Sequence, residues 1–160
     1  MMQSKLAIRS ALPEDAAAVA ALEKQCFSAP WSEGAVESEI RGGAVFLTAW
    51  QAGRLAGYAS FRAVCGEGYV GNVAVDPSAR RQGVGRLLME RLILQARKQN
   101  LAFLTLEVRR SGTAAIGLYE DLGFQKVGER KGFYADPKED AVLMTLFFKE
   151  RKGIDENTGN

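Results

Sequence analysis

The chain contains no histidine. That absence removes serine–histidine and cysteine–histidine nucleophile pairs, a histidine general base and a histidine metal ligand together. Cysteine is also scarce. Cys26 and Cys65 stand far apart, form no CxxC pair, and outline neither a zinc ribbon nor a disulfide framework. They are expected to be reduced, buried and apolar in behaviour, although one long-range disulfide stays open. Long apolar runs are missing. The alanine-rich stretch 16–22 is bracketed by Asp15 and Glu23, far short of the ~20 residues that span a bilayer. Residues 1–5 lead into mixed sequence without a signal-like apolar segment, so no membrane association and a reducing, cytoplasmic setting are expected. Nor does one charge dominate. Twenty-one basic against 19 acidic residues leave a net charge of +2, too balanced for nucleic-acid binding by phosphate neutralisation.

What is present fits one soluble domain: 160 residues, 47% hydrophobic and 25% charged. The expected domain covers 1–149. The charged segment 150–160 lacks large apolar side chains and reads as a disordered tail. Alternation over 5–9 predicts a short strand. Pro13, Glu14 and Asp15 then suit a helix start, with Val19, Leu22 and Cys26 at helical spacing. A second helix is expected over 32–41, stopped by Gly42 and Gly43. Strands follow over 44–50, 55–64 and 69–75, with turns at 51–54 and 66–68. A long amphipathic helix is expected over 83–98, then a strand over 101–108. A helix capped by Ser111 runs to Leu122, where Gly123 stops it. Strands over 124–134 and 141–148 close the order, around a polar loop at 136–140. Strand–helix–strand around 83–98 predicts a parallel crossover. The fold class is therefore α/β: a mixed, mostly antiparallel sheet with a central parallel crossover, flanked by helices.

The most informative stretch runs from Val73, Ala74 and Val75 through Asp76 and Pro77 to Arg80, Arg81, Gln82, Gly83, Val84, Gly85 and Arg86. A strand ends, a turn carries arginines and glycines, and a helix begins. Glycines allow close backbone approach, and a helix start adds partial positive charge, so the turn can cradle a pyrophosphate. No Lys-Ser or Lys-Thr follows, so it is not a Walker A loop. Leu88 replaces the third glycine of a dinucleotide fingerprint. An ordinary turn with a solvated basic rim also fits these residues.

Arg80 to Gly85 resembles the (Gln/Arg)-x-x-Gly-x-(Gly/Ala) motif of the GNAT family of N-acetyltransferases, and the predicted element order agrees with that fold. The resemblance covers residues 4–149. It implies that the turn binds the pyrophosphate of acetyl-CoA, and that backbone groups at Val73 and Val75 hold the pantetheine arm and acetyl carbonyl. Pro30-Trp31-Ser32, Leu106-Glu107-Val108-Arg109 and Ala115 to Phe124 resemble the RimI-type branch, which acetylates the N-terminal alanine of a small-subunit ribosomal protein. The implied partner is thus the N-terminal segment of an acceptor protein, and no metal is implied. In one departure, the family often has Ser-Asn where this chain has Ser111-Gly112. Only backbone contact from Gly112 to CoA is then available.

Acetyl transfer from a thioester to an amine needs a proton acceptor, an oxyanion donor and a way for thiolate to leave. Without histidine the base is a carboxylate, a tyrosinate, a relayed water or solvent. Glu107 shares a strand face with Phe103 and Thr105, where burial would raise its pKa. It could equally face solvent or pair with an arginine such as Arg109. The resemblance makes it the candidate base. By the same resemblance Tyr119 is the candidate acid, although the residue pattern also fits a core aromatic beside Ala115 and Leu122. Trp31, Phe133 and Tyr134 are the implied acceptor contacts, with packing as their alternative. No cysteine lies in a thiol-activating motif, so transfer is expected to be direct. Acetylation of a lysine side chain or small amine, or a non-catalytic acyl-CoA-binding module, fits the same residues less closely. An α-amine is favoured because freeing it near pH 7 costs ~1.4 kcal/mol, against ~4.6 kcal/mol for lysine.

Overall fold

A computed structural model describes residues 5–148; the segment 150–160, expected to be a disordered tail, lies outside the described residues. Alternating and continuous apolar runs form seven strands: β1 (Ala7–Ser10), β2 (Val45–Gln51), β3 (Arg54–Val64), β4 (Glu67–Val75), β5 (Phe103–Arg109), β6 (Gln125–Ala135) and β7 (Lys138–Phe147). Helical spacing forms α1 (Ala16–Cys26), α2 (Glu33–Arg41), α3 (Val84–Lys98) and α4 (Thr113–Asp121). The hydrogen-bonded order is β1-β2-β3-β4-β5-β7-β6. β4 and β5 pair in parallel at Gly68–Leu104 and Tyr69–Thr105, with α3 as the crossover. The pairs β1–β2, β2–β3, β5–β7 and β6–β7 are antiparallel. The expected fold class is the one observed.

Contacts group the chain into two units. One takes in the chain up to Arg62 together with Val70–Leu92. Its core gathers Val19, Leu22, Val36, Phe46, Tyr58 and Ala74, each large apolar side chain worth ~1.5–3 kcal/mol of burial. Phe46 and Tyr58 stack at 5.3 Å. Gly57 is required by close approach, since a Cβ there would meet the Ala74 carbonyl oxygen at 2.7 Å. Asp15 fixes the corner into α1. Its carboxylate accepts from the Leu12 N–H at 2.7 Å and from both terminal nitrogens of Arg9 at 2.7 and 3.1 Å. Ser32 caps α2 by accepting from the Ala35 N–H.

The second unit takes in Ala63–Tyr69 and the chain from Ile93 onward. β5 and β7 face each other through Leu104–Leu146 and Leu106–Met144, all four buried.

Four local expectations are corrected. The turn foreseen at 66–68 is confined to Cys65 and Gly66, which both adopt positive φ, so β4 already starts at Glu67. The loop foreseen at 136–140 shrinks to Asp136 and Pro137, because Ala135 and Lys138 pair across the hairpin. Ser111 does not cap α4. Gly112 is the N-cap, and the Ser111 N–H donates instead to Glu139 at 2.6 Å. The cysteines are both free, but only Cys26 is partly buried; Cys65 is exposed because it sits where the chain reverses.

Candidate active site

In the first unit, β4 delivers the chain to the arginine-rich turn. Ala74 is buried in the core, while Val73 and Val75 are half-buried. Asp76 accepts from the N–H and hydroxyl of Ser78, which holds its carboxyl below the ordinary carboxylate range. A short 3-10 turn, Pro77–Ala79, follows. Arg81 and Gly83 then take φ of +64° and +82°, a region that disfavours any Cβ. This double left-handed step turns the chain into α3, where the Gly83 carbonyl accepts the Leu87 N–H. The first turn of a helix presents donors that its own carbonyls cannot satisfy, and here Val84 and Gly85 occupy it. Val84 anchors the turn in the core at 3% exposure, while Arg80, Arg81, Gln82 and Arg86 are exposed.

Arg80 has work inside the unit. Its Nε donates to the Val75 carbonyl at 3.2 Å and a terminal nitrogen approaches Cys26 Sγ at 3.5 Å. Gln82 donates to the Ser78 carbonyl. Burial pushes the Cys26 thiol up despite Arg80, the opposite of an activated nucleophile.

Trp31 is half-buried against the core cluster. Its backbone N–H donates to Glu23, a fully buried carboxylate that the sequence reading passed over. The signal was available. Ala16, Val19, Ala20 and Glu23 share the buried stripe of α1, and a carboxylate on such a stripe needs partners.

In the second unit, Glu107 is exposed, as in the alternative that has it face solvent or pair with an arginine. It pairs with Arg130 at 3.4 Å, not with Arg109. Arg109 reaches Glu139 at 3.1 Å and the carbonyls of Asp136 and Pro137, and lies 4.3 Å over the Tyr134 ring. Arg130 also lies 5.5 Å over Phe133, whose ring meets Tyr134 edge-on at 5.0 Å. Glu107, Phe133 and Tyr134 are thereby gathered on one cluster. Burial, then the charge of Glu107, pushes the Tyr134 phenol up. Tyr119 is 7% exposed and packs on Phe124 at 5.7 Å. Burial, with a smaller contribution from Tyr134, pushes its phenol up to about 12. Tyr119 is thus the packed aromatic of the alternative reading, with a phenol that stays protonated at neutral pH. Gly112 is tight: a Cβ would lie 3.1 Å from the Arg109 carbonyl oxygen.

A mixed sheet with one parallel crossover and a left-handed basic turn opening the crossover helix fit the fold of an acyl-transferring enzyme. Residues 16–124 match the acetyltransferase (GNAT) family, and the chain belongs to that family. It is an acetyltransferase, and the family uses acetyl-CoA. The chain is 40% identical over 127 residues to the ribosomal protein bS18-alanine N-acetyltransferase of Escherichia coli K12, covering 78% of this chain and 86% of that one. It is 33% identical over 129 residues to the enzyme of that name from Haemophilus influenzae, covering 79% and 88%. The crystal structure of the ribosomal-protein-S18-alanine N-acetyltransferase from Escherichia coli superposes with a TM-score of 0.84 at 37% identity, over 91% of this chain and 96% of that one. Among the described residues, no helix is long and apolar enough to cross a membrane.

Proposed function

We propose that the chain transfers acetyl from acetyl-CoA directly to the N-terminal alanine of a small-subunit ribosomal protein. The likeness to the bS18-alanine enzymes across 78% of the chain carries this reading. In it, the backbone of the 80–86 turn and the side chains of Arg81 and Arg86 receive the pyrophosphate. Backbone groups of Val73–Val75 hold the acyl arm, with an N–H there as oxyanion donor. Gly112 contacts the carrier through its backbone. Trp31, Phe133 and Tyr134 contact the acceptor.

The α-ammonium gives its proton to Glu107, directly or through water, and the freed amine forms the new N–C bond. The tetrahedral oxyanion collapses and the C–S bond breaks. Tyr119 donates a hydrogen bond to the departing thiolate. Handing over the proton itself from a phenol near 12 to a thiolate of ~8.5 is uphill by about 5 kcal/mol, so solvent completes protonation of CoA. Its buried seat suits a donor that stays protonated at neutral pH.

The test is mass spectrometry of an Ala-Arg-initiated peptide, and of its N-blocked, lysine-containing counterpart, after incubation with acetyl-CoA. Acetyl is expected on the free α-amine. Modification of the blocked peptide alone would overturn the assignment.

A further inference from the structure

Glu23 takes no part in the chemistry above, yet it is completely buried. A carboxylate withdrawn from water is unfavourable unless its oxygens are bonded. Both are. Oε1 accepts from the Trp31 backbone N–H at 2.9 Å, and Oε2 accepts from Nδ2 of Asn72 at 2.9 Å. Burial pushes the carboxyl up, and the two donors pull it partly back.

The two donors sit in informative places. Trp31 lies in the connection between α1 and α2. Asn72 stands in β4, immediately before 73–75. The indole is held from a second direction. A Cβ on Gly71 would lie 3.3 Å from its Cη2 and 2.8 Å from Ser60 Oγ. The small residue therefore lets the ring close on β4. One carboxylate and one missing side chain together fix where Trp31 stands relative to the strand.

We propose that Glu23 is a positioning residue for acceptor recognition: bridging Trp31 to Asn72, it holds the indole wall against which the acceptor's first residue docks. The inference rests on the reading of Trp31 as an acceptor contact. A core carboxylate with only a packing role would alter stability, but would leave acceptor affinity untouched in a folded variant.

The bridge can be broken and rebuilt without changing volume. Asn72→Asp sets a second carboxylate against Glu23 and parts the bridge. KM for the acceptor peptide is expected to rise at least tenfold, with kcat within threefold and the Kd for acetyl-CoA unchanged. Glu23→Gln combined with Asn72→Asp restores complementarity. The amide introduced on α1 accepts from the Trp31 N–H through its oxygen and donates through its nitrogen to the carboxylate introduced on β4. KM should then return to within threefold of the parent. An unchanged KM in the single variant, a rise the double variant does not relieve, or a parallel loss of acetyl-CoA affinity would each overturn the proposal. Hydrogen exchange at the Trp31 amide, without substrate, gives a second readout. Protection is expected in the parent, a loss of at least tenfold in Asn72→Asp, and recovery in the double variant. Free exchange in the parent would sink the bridge whatever the kinetics. Failure of the alanine reading would look different, as acetyl on another amine, and KM would then be compared on that acceptor.

Discussion

Tyr119 is a single residue whose surroundings make a measurable statement. A phenol held at about 12 when folded and ~10 when unfolded binds its proton more tightly in the folded state. The stability it contributes is complete below pH 10 and is lost as pH rises from 10 towards 12, about 3 kcal/mol in all. Urea melts across that range should show a steeper fall in the parent than in Tyr119→Phe. Equal slopes in both would mean the ring is not sealed as described. The same substitution removes the hydrogen bond proposed to the thiolate, so kcat should drop at least tenfold at pH 7 while acetyl-CoA binding stays within twofold. Glu107 offers a contrast at the same scale. It is exposed and sits against Arg130, so its proposed role as base rests on access to the acceptor amine rather than on a hydrophobic pocket.

At the scale of elements, the turn into α3 depends on backbone conformation more than on side-chain space. Nothing lies within 4 Å of a Cβ built on Gly83 at φ +82°, and the same holds for Gly66 at φ +79°. Alanine at either position meets the same left-handed penalty of ~1–2 kcal/mol. Only Gly83→Ala is expected to weaken CoA, by roughly 5- to 30-fold, as read by calorimetry, while Gly66→Ala serves as the matched control. A like effect from both would remove the turn's special status. The corner before α1 makes a different prediction. Asp15 is almost buried, with its carboxyl drawn below the usual range by Arg9 first and the Leu12 N–H after it. Its contribution is present above pH ~4 and lost as pH falls through the lower folded value. Asp15→Asn should destabilise the fold by ~1.5–3 kcal/mol at pH 7 and by little at pH 2; a loss that does not shrink in acid would contradict the assignment. These elements also mark what could be read from sequence. The crossover, the strand order of types and the Gly83 turn were legible, because period, glycine and proline act locally. The start of β7 and the cap of α4 were not. Lys138 joins β7 because Ala135 faces it across the hairpin, and Ser111 is diverted by Glu139, 28 residues away. Which arginine pairs with Glu107 was not legible, because strand alternation counts neighbours along one chain and omits Arg130 arriving from β6. Glu23 escaped notice since its partners, Trp31 and Asn72, come from outside α1.

Over the whole molecule, the lack of histidine becomes a statement about rate. No side chain of the enzyme has an unperturbed pKa between 5 and 8, and the phenol proposed to meet the thiolate stays protonated far above that range. The acceptor, by contrast, carries an α-amine near 8. The ascending limb of kcat/KM between pH 6 and 9 should therefore follow the substrate. An acceptor peptide whose α-amine is acidified by one unit should shift the midpoint of that limb down by about one unit. Replacing the enzyme's own groups should change its height and leave its position. If the midpoint stays fixed when the amine changes, a group of the protein governs the proton.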